Sequence, residues 1–254
     1  MDSKTFVGKA LDIALHYKTL YVNGTWGWPM TEANKSRALR NKNNQGATRR
    51  AKIEAAGPDV FGFDCVGLWK GILWGWSGNK NAQYGGAGFA PAHGVPDLNE
   101  TSFFEAGYDF STDFSKAVPG AMVWRTGHIG CYIGDGLVIE CTPSWADGVQ
   151  ITTLDQRKTA EGYKYRSWTK WGKCLYLQYE EEMTYEVFKD YAKRYEEEAK
   201  LEPASEYAEE ALDWAKALGI MQGSGSGNLM PQSALKRQDF AVMLKRYDDG
   251  RTKE

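Results

Sequence analysis

Apolar residues recur at helical spacing in the first third of the chain. Ser3 can cap a helix whose apolar face is formed by Phe6, Ala10, Ile13, Ala14 and Tyr17. A more apolar run begins at Cys65 and continues with Leu68, Trp69, Ile72, Leu73 and Trp76. The second pattern predicts a buried helix whose first residue is a cysteine.

Short apolar runs separated by turn residues follow after residue 120, and such runs are typical of strands. We expect strands at 121–124, 128–133 and 137–141, a turn at 134–136, and a last strand at 174–179 that closes the sheet. Residues 21–28 are expected to form a loop and residues 77–120 to be mostly loop, because they are rich in glycine and other turn residues. The pattern predicts an α+β domain with a helix packed on an antiparallel sheet.

Composition changes abruptly after Tyr179. Nine of the ten tryptophans precede this point, and acidic sequence with helical periodicity follows it, predicting helices at 184–199 and 207–218. A chain of 254 residues can hold one substantial domain and a small one. We therefore divide it into a domain at 1–179 and a small all-α module at 180–254.

The net charge of −2 conceals two regions of opposite sign. Residues 1–179 carry 20 Lys and Arg against 16 Asp and Glu, whereas residues 180–254 carry 11 against 17. Residues 33–53 contain seven basic side chains and no acidic one. Such clusters can neutralise nucleic-acid phosphates. No nucleic-acid-binding motif accompanies this one, so we expect a solvated loop and no nucleic-acid partner.

Composition also limits the cofactors and the location. Cys65, Cys131, Cys141 and Cys174 lack the spacing of zinc ligands or of a disulfide framework, so no metal or other cofactor is expected. No apolar run is long enough to span a membrane, and Met1 is not followed by the apolar core of a signal peptide. The sequence therefore predicts synthesis in a cytoplasm.

A cysteine in the first turn of a helix can act as a nucleophile. The positive end of the helix dipole and the free N–H groups there favour the thiolate, and catalysis then needs an imidazole base. Of the three histidines, His16 falls within the first helix and His93 in a Pro- and Gly-containing loop. His128 begins a strand, where a rigid sheet can hold it against the helix, so it is the predicted base.

Glu140 is the candidate for a third member that orients the imidazole. It is the only charged side chain in the run 137–141. If residues 134–136 form a three-residue loop, Ile133 pairs with Leu137 and His128 shares a sheet face with Glu140. A two-residue loop would place them on opposite faces, so the proposal depends on the register.

These residues resemble the NlpC-type cell-wall peptidases, a papain-like superfamily. The resemblance rests on Asp64-Cys65-x-Gly67-Leu68, on His128-Ile-Gly-x-Tyr-Ile-Gly134, and on a polar residue twelve positions after the histidine. It covers roughly residues 5–179. It implies a papain-like fold in which Cys65 is the nucleophile, His128 the base and Glu140 the orienting residue.

The resemblance also suggests residues that contact the substrate. Tyr21-Val-x-Gly-x-x-Gly27 looks like the family's aromatic-glycine motif, so the Tyr21 hydroxyl is expected to reach the catalytic sulfur. Asp64, Trp26 and Trp145 are further candidates for substrate binding, although each tryptophan could equally belong to the core. Two departures are Val66, where the family usually has Ser, and Glu140, where it usually has His, Asn or Gln.

The activity that the resemblance implies is hydrolysis of an amide bond in peptidoglycan. An endopeptidase that cuts between D-glutamate and a diamino acid is favoured, and an N-acetylmuramoyl-L-alanine amidase is the alternative. A non-catalytic wall-binding protein on the same fold is an alternative of another class. In this setting the basic run 33–53 could also attract anionic wall polymers.

The C-terminal region has a resemblance of its own. Residues 207–223, 227–231 and 235–244 follow the helix, Gly-rich loop and helix pattern of one S-layer-homology repeat. Together with the preceding helix, this arrangement resembles the C-terminus of endolysins from phages or prophages of Gram-positive hosts. Wall binding and homo-oligomerisation through the C-terminal helices both remain open as roles for the module.

Overall fold

The computed structural model describes residues 1–82, 94–180, 185–223 and 228–251. They form two compact units, Met1–Glu180 and Glu181–Glu254. The sequence places the boundary one residue earlier, after Tyr179. The predicted α+β class is confirmed, because the first unit combines a large sheet with several helices.

The first unit contains two sheets. The larger has the strand order β4-β10-β5-β6-β7-β8-β9 and the smaller the order β1-β3-β2. Their bounds are β1 Thr19–Tyr21, β2 Trp26–Pro29, β3 Phe61–Phe63, β4 Tyr108–Ser111, β5 Met122–Arg125, β6 His128–Gly134, β7 Leu137–Thr142, β8 Gly148–Thr153, β9 Lys164–Tyr165 and β10 Lys170–Lys173. Neighbouring strands of the large sheet are antiparallel except β8 and β9.

Helices of the first unit surround these sheets. They are α1 Ser3–His16, α2 Glu32–Ala38, α3 Ala47–Ala55, α4 Cys65–Leu73 and α5 Glu100–Glu105. The main core joins apolar side chains of α1 and α4 to one face of the large sheet, including Ile129, Cys131 and Ile139. A second, smaller cluster on the other face contains Tyr132, Val138 and Trp168.

Helix α4 begins at Cys65, as the apolar spacing predicts. The side chain of Asp64 caps it by accepting a 2.5 Å hydrogen bond from the Gly67 N–H. Gly67 brings the helix against the loop that precedes β2, because a Cβ at this position would lie 1.9 Å from the carbonyl oxygen of Thr25. The glycine of the Asp-Cys-x-Gly motif is therefore required by close backbone packing.

The turn between β6 and β7 differs from the three-residue loop that we expected. Gly134 pairs with Leu137, so the loop has two residues, Asp135 and Gly136, both with positive φ. The register shifts between Tyr132 and Gly134, which leaves one extra residue in β6. This bulge restores the register in which His128 and Glu140 share a face, so the predicted juxtaposition arises by another route.

Several local expectations are wrong. Asp2, not Ser3, caps α1. The segment 21–28 contributes to β1 and β2. The segment 77–120, in contrast, is mostly loop in its described residues, as expected, apart from α5, β4 and a short 3-10 helix at Phe114–Lys116. Residues 174–179 form no strand; the strand that pairs with β5 is β10, which ends at Lys173.

The basic run 33–53 is also more ordered than a solvated loop. It forms α2, a short 3-10 helix at Lys42–Asn44, and α3. Four of its seven basic side chains make ion pairs, and the Arg37 guanidinium lies over the Trp28 ring. Most of these basic side chains are therefore paired with acidic groups of the same domain. We accordingly expect the run to attract anionic polymers less strongly than its sequence suggests.

The second unit is helical in its described residues. It contains α6 Tyr185–Ala199, α7 Glu209–Ala217 and α8 Arg237–Arg251, with a short 3-10 helix at Glu206–Ala208. The predicted helix start at residue 184 and the Gly-rich stretch at 224–227 lie outside the described residues. None of the described helices of the chain is long and apolar enough to cross a membrane.

Replacing Gly67 by Ala should destabilise the first unit by about 2 kcal/mol or more, because the methyl group would force α4 away from Thr25. Chemical denaturation would measure the loss. Gly8→Ala is the matched control: Gly8 lies in α1 with nothing within 4 Å of its Cβ position, so Ala should be neutral or stabilising by about 0.5–1 kcal/mol. Equal stability of the two variants would contradict the packing role.

Candidate active site

Cys65 is nearly buried at the start of α4, with 6% of its surface exposed. Burial raises the pKa of its thiol to about 12, and the neighbouring Asp64 carboxylate contributes in the same direction. The backbone amides of Ile129 and Val66 favour the thiolate, but their effect is smaller. Burial therefore opposes the stabilisation of the thiolate that the helix start is expected to provide.

The carboxylate of Asp64 accepts hydrogen bonds from backbone N–H groups. Its Oδ1 accepts from the Gly67 N–H, and its Oδ2 accepts a 2.6 Å hydrogen bond from the Gly24 N–H. Burial raises its pKa, and these two hydrogen bonds oppose the shift. Because both carboxylate oxygens are engaged and the residue is buried, Asp64 is better described as holding α4 and the Gly24 loop together than as contacting a substrate.

His128 and Glu140 are in direct hydrogen-bond contact. Nε2 of His128 lies 2.6 Å from Oε2 of Glu140. An ionised carboxylate only accepts hydrogen bonds, so the ring proton is assigned to Nε2 in the neutral imidazole. Nδ1 then carries the lone pair, and among the described residues it has no hydrogen-bond partner.

Helix α4, which begins with Cys65, is in contact with strand β6, which begins with His128. Ile129 packs with Cys65 in the main core, whereas the alternation of side chains places His128 on the opposite face of the strand. The Ile129 amide lies near enough to lower the pKa of the Cys65 thiol. Over the part of the chain that the structure describes, no hydrogen bond joins the sulfur to the imidazole.

Glu140 receives more donors than the sequence indicated. In addition to His128, Thr152 Oγ1 donates to Oε1 at 2.6 Å, and Arg166 Nε lies 2.6 Å from Oε2 and 2.9 Å from Oε1. Burial raises the pKa of Glu140, but the hydrogen bonds and charges of His128 and Arg166 outweigh it and hold the pKa below its usual value. Arg166 and Thr152 belong to no recognisable motif, so the sequence patterns do not predict their contacts with Glu140.

The ring of Trp168 lies against one face of the His128 imidazole. Its ring stacks on His128 with centroids 5.3 Å apart and planes 11° from parallel. Gly130 makes room for it, since a Cβ there would lie 3.0 Å from the indole and 2.8 Å from Val138. Trp168 therefore limits both the orientation of His128 and the access of water to its bond with Glu140.

Tyr21 lies on β1, next to the strand that leads into α4. It pairs with Phe63 through the parallel strands β1 and β3, which places it beside the start of α4. Burial raises the pKa of its hydroxyl, and the charges of Cys65 and Asp64 add to this effect, so the hydroxyl and the sulfur share one environment. A direct contact of the Tyr21 hydroxyl with the Cys65 sulfur stays a prediction of the resemblance.

The two candidate tryptophans have different surroundings. Trp145 is 46% exposed, has a positive φ of 57°, and lies under the Arg166 guanidinium at 4.7 Å. Trp26 packs among Trp28 and Trp74, and its carbonyl oxygen approaches Gly71, about 9 Å along α4 from Cys65. Only Trp145 is therefore both exposed and linked to the residues around Glu140.

The other candidates for base or metal chemistry are separate from this site. His16 is exposed at the end of α1 and contacts Asp12, and His93 lies outside the described residues. Within the described ranges, no group of three or more His, Cys, Asp or Glu side chains could hold a metal ion. The remaining cysteines are buried and unpaired.

Cys65 in the substrate-free protein should react slowly with iodoacetamide at neutral pH and faster as the pH rises from about 9 towards 12. The reason is that the reactive thiolate forms only near its raised pKa. Alkylation followed by peptide mass spectrometry would measure the rate, with the denatured protein as the control for full reactivity. A plateau of fast alkylation below pH 8 would show that the resting thiolate exists after all.

Comparison with known proteins identifies one region of the chain. Residues 202–241 match the S-layer homology domain. Domains of this class bind cell-wall polymers, so the match indicates association with a cell wall. No curated protein matched the chain.

Proposed function

We propose that the first unit is a cysteine hydrolase that cleaves an amide bond of peptidoglycan. The proposal is supported above all by the His128–Glu140 pair, which engages Nε2 of the imidazole and stands on strands that contact the cysteine-led helix α4. The second support is the resemblance of the cysteine and histidine motifs to the NlpC-type peptidases. No metal or organic cofactor takes part in the proposed reaction.

In the acylation step, Nδ1 of His128 takes the proton of the Cys65 thiol while the sulfur attacks the amide carbonyl carbon. The backbone N–H of Cys65 forms part of the oxyanion site, since helix-start amides lack intrahelical acceptors. The imidazolium then returns the proton to the leaving amine, the C–N bond breaks, and a thioester remains on Cys65.

In the deacylation step, His128 takes a proton from water, and the resulting nucleophile attacks the thioester. The C–S bond breaks, the carboxylic acid product leaves and loses its proton to solvent, and the imidazolium returns to the sulfur the proton that it took from water. The high thiol pKa fits this sequence, because a neutral thiol needs the base at the moment of attack and regains its proton at the end. Hydrogen bonds between such groups are often long without substrate, so the missing Cys65–His128 bond is compatible with this role.

The bond between D-glutamate and a diamino acid is the proposed target, with the N-acetylmuramoyl-L-alanine amide as the alternative. Both assignments come from the resemblance. Exposed Trp145, beside Arg166, offers an aromatic face for a sugar or peptide group of either substrate. In both cases the lytic role would be that of an endolysin acting at the cell wall.

A non-catalytic wall-binding protein is the second candidate. Two observations favour it: the sulfur of Cys65 is nearly buried, and an S-layer homology match lies outside the first unit. The catalytic proposal is preferred because a binding scaffold gives no reason for a stacked, carboxylate-bonded imidazole beside a cysteine.

Cys65→Ala should abolish release of soluble fragments from purified Gram-positive walls, because the nucleophile is removed. His128→Ala should reduce the rate by at least about 10²-fold, the usual loss for a general base. Cys174→Ala is the matched control, since Cys174 is buried outside the site. Mass spectrometry of the fragments would identify the bond that is cut, and undiminished lysis by Cys65→Ala would refute the mechanism.

Wall association should depend on the second unit. The full-length Cys65→Ala protein should sediment with walls, and a chain ending at Glu180 should lose most of this binding, because the S-layer homology match lies at residues 202–241. Circular dichroism of the shortened chain would verify folding, and analytical ultracentrifugation of both chains would test oligomerisation. Equal sedimentation would assign wall binding to the first unit instead.

A further inference from the structure

The buried carboxylate of Glu140 is shared between two cationic or potentially cationic groups. Oε2 lies 2.6 Å from Nε2 of His128 and 2.6 Å from Nε of Arg166. The side chain of Glu140 has no exposed surface, whereas those of His128 and Arg166 are 12% and 14% exposed. Solvent therefore screens these charges weakly.

Arg166 is held in this position from several sides. Its backbone N–H donates to the Thr153 carbonyl at 2.9 Å, which continues the pairing of β8 beyond β9. One terminal NH2 donates to Thr142 Oγ1 at 3.0 Å. The guanidinium also lies 4.7 Å from the Trp145 ring centroid and 5.9 Å from that of Trp168.

A lone buried carboxylate beside an imidazole would stabilise the imidazolium and so keep the base occupied by a proton. Arg166 is charged at every relevant pH. Its charge balances that of Glu140, so the imidazole faces a pair with no net charge. The related peptidases usually have an uncharged His, Asn or Gln in place of Glu140, and the Arg166–Glu140 pair is the electrostatic equivalent of such a residue.

We propose that Arg166 is a positioning residue that sets the protonation of His128 by neutralising Glu140. The catalytic meaning of this role rests on the proposed function, but the effect on His128 does not. Two further charged groups stand on the elements that carry Cys65 and flank His128: Asp64 precedes Cys65 at the start of α4, and Arg125, which pairs with His128 from β5, donates to the Ser167 carbonyl. Neither of them contacts Glu140 in the described hydrogen-bond network.

The test is a proton titration of the three histidines by NMR, using the full chain with Cys65→Ala and labelled histidine. The His128 signal is assigned as the one that is lost in His128→Gln. Arg166→Gln should move the midpoint of the His128 titration upwards by about one pH unit or more, and Glu140→Gln should move it downwards. The double variant should lie between the two single variants.

Arg125→Gln is the control, because it removes a neighbouring arginine that does not touch Glu140; its shift should be much smaller. If Arg166→Gln fails to fold, the same comparison can be made in the Glu140→Gln background, where removing Arg166 should still raise the midpoint. An unchanged or lowered midpoint on removal of Arg166, in either background, overturns the proposal.

Activity gives an independent measurement. At pH 7, Arg166→Gln should lower the rate of wall digestion about tenfold, because more of the base is protonated, and its pH–rate profile should shift upwards. Glu140→Gln combined with Arg166→Gln should recover most of the rate. If the parent protein digests no wall, the proposed function fails, whereas the titration still decides the role of Arg166.

Discussion

A carboxylate without access to solvent must receive its hydrogen bonds from within the protein. Glu140 of the first unit is such a carboxylate. Its donors come from β6, from β8 and from the segment after β9. Loss of one donor would leave a buried charge poorly compensated, at a cost of several kcal/mol. The strand order, the register of the hairpin and the path of the chain around Arg166 must therefore all be correct together.

The imidazole depends on the same arrangement. Glu140 fixes the position of Nε2, Trp168 stacks on one face of the ring, and Gly130 leaves the space that Trp168 occupies. On the helix side, Asp64 and Gly67 fix the start of α4 through backbone contacts. The candidate site is therefore built from regular elements, because His128 stands on β6 and Cys65 on α4, and these two elements are in contact.

Local patterns in the sequence were sufficient to predict the elements that carry Cys65, His128 and Glu140. Helical spacing and short apolar runs persist over many residues and can be recognised without the tertiary structure. The shared face of His128 and Glu140 was predicted with the wrong turn: the two-residue loop is compensated by a bulge that apolar alternation does not reveal. Arg166 could not be found in this way, since its role depends on contacts with β7 across β8. The burial of the Cys65 sulfur, which opposes the effect of the helix start on its thiol pKa, could not be estimated from the local pattern either.

The burial of the Cys65 thiol and the charges around Glu140 both affect where protons are held in the site. A nearly buried thiol with a raised pKa is protected from adventitious reaction, but it needs a base that is free to accept a proton. An unbalanced Glu140 would work against this by holding a proton on His128. With Arg166 beside it, the carboxylate can orient the ring without dominating its charge. The arginine thus compensates the buried charge of Glu140, so the carboxylate can bond to His128 without being the only charged group that faces the ring.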